Sequence, residues 1–218
     1  YLTAANRVGL GDAVPDFASG RLDAAGRPVV IIGGGDTAMD CVRTAVRQGA
    51  KSVTCIYRRD RENMPGSLRK VANAEEEGVV FEWLTLPKAF LGKKNVEAAR
   101  ITRMRLGMPD ATGRKVPEEV KGSEFSLDAD LVIKALGFDP GDQRALVAAP
   151  DLKVTRWNTI DAAPSTGATS IEAVFAGGDV VRGASLVVWA IRDGRDAASA
   201  IHKYLQARVP ARQLEAAE

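Results

Sequence analysis

Apolar residues in the first part of the chain follow two patterns, which together predict alternating strands and helices. Residues 29–32 (VVII) form a continuous β-branched run, typical of a strand buried on both faces. Between residues 37 and 48 the apolar positions recur at helical spacing, and Gly49 ends that pattern. Residues 53–57 predict a second strand. A strand, a helix and a strand in such close succession form the unit of a parallel α/β sheet.

The patterns from residue 68 onward predict further strands of this sheet and an antiparallel segment between them. Residues 68–77 predict a helix, and residues 79–83 predict a third strand. Polar and apolar residues alternate at 103–106, as in a half-solvated antiparallel strand, and the polar stretch 109–123 predicts the tip of a hairpin. Residues 131–133 predict a further buried strand. The predicted fold class is therefore α/β, a Rossmann-like parallel sheet with an antiparallel β excursion.

The two ends of the chain are patterned differently from its middle. Residues 1–28 show little periodicity and hold several glycines and prolines, which predicts a connector. The apolar residues 173–175 predict a strand that runs into a second glycine cluster, residues 176–179 (AGGD). A long helix is predicted from about Ser185 to about Ala207.

The composition excludes several classes of function. The 218 residues carry 30 Lys and Arg against 28 Asp and Glu, a net charge of +2, which leaves no basic footprint for nucleic acid. No apolar run approaches the ~20 residues that span a bilayer, and no signal-peptide pattern opens the chain. Cys41 and Cys55 do not form a C-x-x-C pair, and a single histidine excludes a multi-histidine metal site. We therefore expect a cytoplasmic protein without disulfides, metal ligands, nucleic-acid contacts or membrane contacts.

The first glycine cluster predicts a dinucleotide site. Gly33-x-Gly35-x-x-Ala38 stands between a strand and a helix, which is the context that this fingerprint requires. Gly33 permits the tight turn, Gly35 leaves room for a pyrophosphate, and Ala38 lets helix and strand approach closely. The phosphates would lie against the positive end of the helix. The alternative is a structural glycine turn in another kind of α/β protein.

The residues that follow the second strand favour NADPH over NADH. An NAD-specific site places an acidic residue there to hold the ribose 2′-hydroxyl. Here the strand is followed by Arg58 and Arg59, whose guanidinium groups favour a 2′-phosphate. Two alternatives stay open: the arginines form a solvated loop, or Asp60 pairs with one of them.

The second glycine cluster predicts part of a flavin site. Asp179 follows Gly177 and Gly178, so its carboxylate can accept hydrogen bonds from a sugar-like hydroxyl chain that approaches the backbone closely. The helix that begins near Ser185 would direct its positive end at the same place. The alternative is an acidic turn with a purely structural role.

Five stretches of sequence together carry a resemblance to a known family: IIGGGDTAMDCVRTAVRQGA, SVTCIYRRDRENMPG, ANAEEEGV, IKALGFDP and FAGGDVVRGASLVVWAIRDGRDAA. The chain resembles the small (beta) subunits of bacterial NADPH-dependent glutamate synthases, and more widely the glutathione-reductase-like flavoproteins. The resemblance covers nearly the whole chain. It implies that the NADPH pyrophosphate is lined by Gly33, Gly35, Asp36, Thr37 and Ala38. It implies that the 2′-phosphate is held by Arg58 and Arg59, with help from Arg61.

The resemblance also implies residues of the flavin half. Gly137 matches the crossing from the nucleotide domain to the flavin domain. Gly178 and Asp179 match the contact with the flavin ribityl chain and pyrophosphate. The edge of the isoalloxazine ring is matched by a short turn, Ser185, Leu186 and Val187.

The organisation implied by the resemblance is a connector at residues 1–27, an NADPH-binding domain at 28–136, the C-terminal half of an FAD-binding domain at 137–209 and a tail at 210–218. The family builds its FAD site from two halves, and the first half has no counterpart before Val29. We therefore expect a fragment that is inactive alone, with FAD absent or weakly bound. Iron–sulfur clusters are expected only in the missing N-terminal region.

In the complete subunit the resemblance implies hydride transfer from NADPH to FAD. Electrons then pass through iron–sulfur clusters to the large (alpha) subunit, which makes glutamate. Two alternatives stay open: a related NADPH–flavin module that serves another partner, and a non-catalytic nucleotide-binding module. No side chain is expected to act as a general acid or base. We expect residues 75–77 (EEE) to form a solvated face, His202 to be structural or on the surface, and Met39, Cys41 and Trp189 to be core positions.

Overall fold

The computed structural model describes residues 1–110 and 113–208, which form two compact units, residues 1–137 and the chain from Phe138 onward. The predicted tail at 210–218 and two residues of the predicted hairpin tip lie outside the described residues. The helices of the first unit are α1 (Leu2–Gly9), α2 (Pro15–Ala18), α3 (Asp36–Arg47) and α4 (Leu68–Glu76). Its strands are β1 (Pro28–Ile32), β2 (Ser52–Tyr57), β3 (Val80–Trp83), β4 (Thr85–Leu91), β5 (Ala98–Pro109), β6 (Lys115–Glu119), β7 (Phe125–Asp128) and β8 (Leu131–Lys134). The second unit contains α5 (Gln143–Leu146), α6 (Asp179–Arg182) and α7 (Val187–Gln206).

A four-stranded parallel sheet in the order β3-β2-β1-β8 forms the centre of the first unit. Val29 of β1 stands opposite Val53 of β2 on one side and Leu131 of β8 on the other. Because all four strands run the same way, their carboxyl ends meet at one edge, where α/β proteins bind ligands. The α/β class predicted from the sequence is confirmed.

Both faces of this sheet are covered, which explains the unbroken apolar run in β1. Ile31 packs on one face in a cluster with Met39 of α3 and Val71 of α4, all fully buried. Ile32 packs on the opposite face in a cluster with Ile101 of β5. The predictions that Met39 and Cys41 are core positions are therefore confirmed.

The antiparallel excursion packs on the second face. β5 pairs with β4, β6 and β7, and residues 98–109 therefore form the spine of this small sheet. Two backbone bonds attach it to the parallel sheet: Leu84 N–H donates to the Arg59 carbonyl at 3.0 Å, and Met104 N–H donates to the Leu84 carbonyl at 2.6 Å. The segment that follows β2 is thus fixed to the start of the excursion.

The predicted connector contains two helices. Tyr1 and Leu2 pack against the buried cluster of α3 and α4, and the Tyr1 hydroxyl donates to Gln48 Oε1 at 2.8 Å. Burial of this phenol raises its pKa above the ordinary value. Within α1, Leu2 packs against this cluster and no residue is fully buried, which accounts for the weak periodicity of this stretch.

One of the three consecutive glutamates links α3 to the end of α4. Arg43 donates to Glu77 Oε1 through Nε (2.8 Å) and Nη2 (2.5 Å), and Arg47 adds a third bond at 3.1 Å. The Glu77 side chain is 26% exposed, so water screens it only in part. Glu75 pairs with Arg61, whereas Glu76 is exposed. The expectation of a solvated face therefore holds only for the middle residue.

We predict a pH-dependent contribution of Glu77 to stability. Bonding to Arg43 lowers the pKa of Glu77, so its stabilising effect is full above the ordinary carboxylate pKa and is lost as the pH falls through the lowered value. Glu77→Gln should unfold a few degrees below the wild type at pH 7, and the two should converge in acid. Thermal unfolding followed by circular dichroism measures this, with Glu76→Gln as the control. An unchanged difference at acid pH would contradict the assignment.

The second unit departs from the sequence in two places. Residues 173–175, predicted as a strand, form only an isolated bridge between Ala168 and Phe175, because no neighbouring strand stands beside them among the described residues. Trp189, predicted as a core position, is 40% exposed, and that prediction is wrong. Its helix, α7, has no buried residue within its described span, so its apolar positions are only partly covered. His202 is exposed on the same helix, as expected.

Candidate functional site

A cavity of about 590 Å³ opens at the carboxyl edge of the parallel sheet. It lies between the glycine turn after β1, the segment after β2, Pro65, the start of β4 and the residues after β8. Six of the residues singled out in the sequence line it: Gly33, Gly35, Thr37, Arg58, Arg59 and Gly137. Residues that are far apart in sequence therefore meet where the topology places a ligand.

Gly33 and Gly35 of the turn differ in whether the fold requires a glycine at the position. Gly33 has φ +149°, and a Cβ added there would lie 2.3 Å from the Ala135 carbonyl oxygen. The fold itself therefore requires glycine at this position. Gly35 has φ −93°, which any residue adopts, and a Cβ there would meet nothing within 4 Å. No described residue demands a glycine at Gly35, and the open space there leaves room for a ligand to approach the backbone.

The loop that precedes α4 packs on this turn. Gly66 N–H donates to the Gly34 carbonyl at 2.9 Å, and Ser67 N–H donates to Asp36 Oδ1 at 3.0 Å. The Asp36 carboxylate thus holds the loop beside the start of α3. Ala38 is fully buried against the sheet, as the close approach of helix and strand requires. Asp36 and Ala38 shape the turn rather than line the cavity.

The arginines after β2 are arranged so that two of them remain available. Arg58 is exposed, and Arg59 is half-buried with its Nε buried and unpartnered among the described residues. Among the described residues Asp60 pairs with neither Arg58 nor Arg59. Its Oδ1 instead accepts hydrogen bonds from Asn63 N–H at 2.9 Å and from Asn63 Nδ2 at 2.6 Å. Arg61 forms two bonds of 2.8 Å with Glu75, which engage its guanidinium away from the cavity lining.

The charged side chains in the described lining of the cavity are all positive. Its described lining includes three arginines and no carboxylate. The third, Arg114, comes from the excursion, and it could not be found from the sequence because no local motif marks a residue that reaches the site through a separate sheet. The amino end of α3 at the same place adds positive potential. An orphaned guanidinium nitrogen, an open space at Gly35 and this charge fit a dinucleotide that carries an extra phosphate.

A second, smaller site lies within the second unit. Gly178, Asp179, Ser185 and Val187 line a cavity of about 420 Å³ at the amino end of α7. Leu186, the residue that precedes this helix, is 64% exposed and is not part of the described lining. The structure thus brings together four of the five residues of this unit that the resemblance assigns to the flavin.

Asp193 of α7 holds the second glycine turn in place. Its carboxylate accepts from Gly178 N–H at 3.1 Å and from Arg182 Nε at 2.5 Å and Nη2 at 2.6 Å. Bonding to Arg182, and then to Gly178 N–H, keeps the pKa of Asp193 below its ordinary value. Asp179, by contrast, is exposed, and its side chain has no bond within the described residues. The turn is therefore ordered by the protein and leaves Asp179 available to a hydroxyl-bearing ligand.

The charged groups at the second site are few. Arg182, the cation of α6, is engaged by Asp193. The lining residues that the structure describes include no cation that would meet a pyrophosphate. This cavity therefore offers the Asp179 carboxylate, the Ser185 hydroxyl and the amino end of a helix.

Other kinds of site find no support in the described part of the chain. Both cysteines are buried, and burial raises the pKa of the Cys41 thiol to about 11 and that of Cys55 to about 12, which disfavours the nucleophilic thiolate form. Among the described residues no cluster of three or more His, Cys, Asp or Glu is placed to hold a metal ion. None of the described helices combines the length and the apolar character needed to cross a membrane.

Comparison with known protein families agrees with this geometry. The family model of the pyridine nucleotide-disulphide oxidoreductases matches residues 4–194. The chain belongs to the pyridine nucleotide-disulphide oxidoreductase family. This membership accounts for an α/β unit with a glycine turn and an arginine-lined cavity at the carboxyl edge of the sheet.

Relatives within the family confirm the resemblance found in the sequence. The glutamate synthase [NADPH] small chain of Azospirillum brasilense is 59% identical over 218 residues, which is 100% of this chain and 45% of the relative. The protein of the same name from Escherichia coli is 49% identical over 185 residues, covering 83% of this chain and 39% of the relative. This oxidoreductase chain thus spans less than half the length of either relative.

A solved structure supports the fold. The Mycobacterium tuberculosis protein FprA, solved in complex with NADPH, superposes with a TM-score of 0.68 at 17% identity, over 85% of this chain and 54% of that one. At this identity the similarity concerns the fold alone.

Proposed function

We propose that the first unit of this oxidoreductase binds NADPH as the electron-entry module of a glutamate synthase small subunit. One observation carries the cofactor assignment. The segment after β2, where an NAD-specific site has a carboxylate for the ribose hydroxyl, supplies Arg58 and Arg59 to a cavity whose described lining contains no carboxylate. The similarity to the Azospirillum and Escherichia coli proteins supports the rest of the assignment.

Different residues of the first unit bind different parts of the nucleotide. The amide groups at the start of α3 meet the pyrophosphate, and Thr37 adds a hydroxyl at the same place. The open position at Gly35 lets the phosphates approach the backbone. Arg58 and Arg59 hold the 2′-phosphate through charge-assisted bonds. Arg61, which is bonded to Glu75, positions the loop between β2 and α4 instead of contacting the nucleotide.

The second unit supplies part of a flavin site. NADPH held by the first unit would supply a hydride, and FAD would accept it. Asp179 accepts hydrogen bonds from the hydroxyl chain of the flavin, and the amino end of α7 near Ser185 and Val187 favours negative charge at the ring edge. Gly137 marks the crossing between the two units. FAD binds weakly or not at all to this chain in this proposal, because the described lining of the second site supplies no cation to its pyrophosphate.

Similarity to glutamate synthase [NADPH] small chains supports placing the module in a larger enzyme. In the complete small subunit, iron–sulfur clusters would carry the electrons on toward the large (alpha) subunit, where glutamate would be made. The chain taken alone is inactive in this proposal. A module of the same family serving another acceptor is the alternative.

The cofactor assignment is tested by titrating the chain with NADPH and with NADH, using nicotinamide fluorescence. We expect NADPH to bind about 100-fold more tightly, because a 2′-phosphate met by two guanidinium groups gains roughly 3 kcal/mol. Equal affinity for the two nucleotides would refute the proposal. Absorbance in the flavin bands and turnover with ferricyanide test the rest: a stoichiometrically yellow chain that oxidises NADPH would contradict the proposed half-site.

A further inference from the structure

A third arginine reaches the nucleotide cavity from a direction that the glycine fingerprint does not predict. Arg114 lines the same cavity as Arg58 and Arg59, but it belongs to the end of the β5–β6 hairpin rather than to the parallel sheet. Its side chain is exposed and makes no ion pair with any residue that the structure describes. A guanidinium without a partner, in a cavity with one sign of charge, raises the question of what it binds.

The backbone around Arg114 is fixed by the hairpin itself. Arg114 N–H donates to Asp110 Oδ1 at 3.1 Å, and the Arg114 carbonyl accepts from Asp110 N–H at 2.9 Å. These two bonds close the turn between β5 and β6. The side chain of Arg114 is therefore presented from an ordered position at the start of β6.

The cavity lining that Arg114 shares with Arg58 and Arg59 points to the part of the nucleotide that it serves. The bonds from Leu84 N–H to the Arg59 carbonyl and from Met104 N–H to the Leu84 carbonyl tie β5 to the segment after β2. That segment carries the arginines of the proposed 2′-phosphate site. The pyrophosphate is assigned to the amides at the start of α3, so an additional cation that lines the same cavity as Arg58 and Arg59 is placed for the third phosphate.

We infer that Arg114 is a specificity-determining residue that contacts the 2′-phosphate of NADPH together with Arg58 and Arg59. The inference rests on the proposed NADPH site. It gives the antiparallel excursion a role in binding, because the hairpin contributes a side chain to the nucleotide as well as covering one face of the parallel sheet.

The test compares Arg114→Ala, Arg114→Lys and the control Lys115→Ala with the wild type. Lys115 is the neighbouring exposed cation, carries the same charge and is not among the described lining residues. Each variant is titrated with NADPH, with NADH and with adenosine 2′,5′-bisphosphate, after thermal unfolding has shown that it is folded. Arg114→Ala should weaken NADPH and the bisphosphate about 10-fold and change NADH less than about twofold. Arg114→Lys should recover part of the loss, and Lys115→Ala should match the wild type.

Each other outcome has a distinct meaning. Equal weakening of NADPH and NADH by Arg114→Ala would overturn the assignment to the 2′-phosphate. No change in NADPH affinity, or an equal loss in Lys115→Ala, would overturn a direct contact. If the wild type itself fails to prefer NADPH over NADH, the proposed function fails and this inference fails with it. A wild-type preference that survives Arg114→Ala unchanged refutes the inference alone.

Discussion

Replacing both Arg58 and Arg59 with alanine is expected to remove about 100-fold of the affinity for NADPH and to leave the affinity for NADH within about threefold. Each guanidinium that bonds a phosphate contributes about 1.5 kcal/mol, at the low end of the range for charged hydrogen bonds because Arg58 is exposed. Two such losses correspond to roughly two decades in the dissociation constant. The measurement is a fluorescence titration with both nucleotides at one ionic strength.

The matched control removes two positive charges at another place in the first unit. Arg69→Ala combined with Arg100→Ala deletes two exposed arginines of the same unit that do not belong to the described cavity lining. This variant should bind both nucleotides as the wild type does. If the control loses as much NADPH affinity as the Arg58/Arg59 variant, the effect is one of net charge. If the Arg58/Arg59 variant keeps the preference for NADPH, those residues do not hold the 2′-phosphate.

The local sequence pattern predicted the strands and helices of the parallel sheet, because each of these elements depends mainly on the residues within it. The β-branched run of β1 and the helical spacing of α3 appear in the sequence as they appear in the structure, to within a residue or two. The glycine turn was likewise predictable, since Gly33 and Gly35 lie within one short loop. Its position at the carboxyl edge follows from the parallel order of the strands.

The excursion and its arginine could not be predicted in the same way. Arg114 joins the cavity through the β5–β6 hairpin, which is linked to the segment after β2 through Leu84, and such long-range contacts leave no local signal. The engagement of Arg61 by Glu75 is a second case, because the partner stands on the next helix. In both cases a side chain's role depends on which residue the fold places beside it.

The second unit shows what local pattern cannot supply. Residues 173–175 have strand-like composition, but a strand is defined by its neighbour, and the described residues offer only the bridge at Phe175. Trp189 has the helical spacing of a core residue, and its helix has no buried face in the described chain. The glycine turn at Gly178 is nevertheless ordered, because Asp193 bonds it directly.

Substituting alanine at Gly35 and, separately, at Gly33 is expected to separate nucleotide binding from folding. Gly35→Ala should fold with a free energy of unfolding within about 1 kcal/mol of the wild type, because its φ of −93° suits any residue and the Cβ meets nothing within 4 Å. It should bind both NADPH and NADH about 10- to 100-fold more weakly, since the methyl group occupies the space where the pyrophosphate approaches the amides of α3.

Gly33→Ala should show the opposite order of effects. Its Cβ would lie 2.3 Å from the Ala135 carbonyl oxygen at a φ of +149°, so the added methyl forces apart the carboxyl ends of β1 and β8. Overpacking and backbone strain together cost roughly 2–6 kcal/mol. Denaturant unfolding measures both variants, and nucleotide titration follows where the protein is folded. A folded Gly35→Ala protein with wild-type affinity for both nucleotides would show that the pyrophosphate does not approach this turn, because the methyl group would then stand in space that no ligand uses.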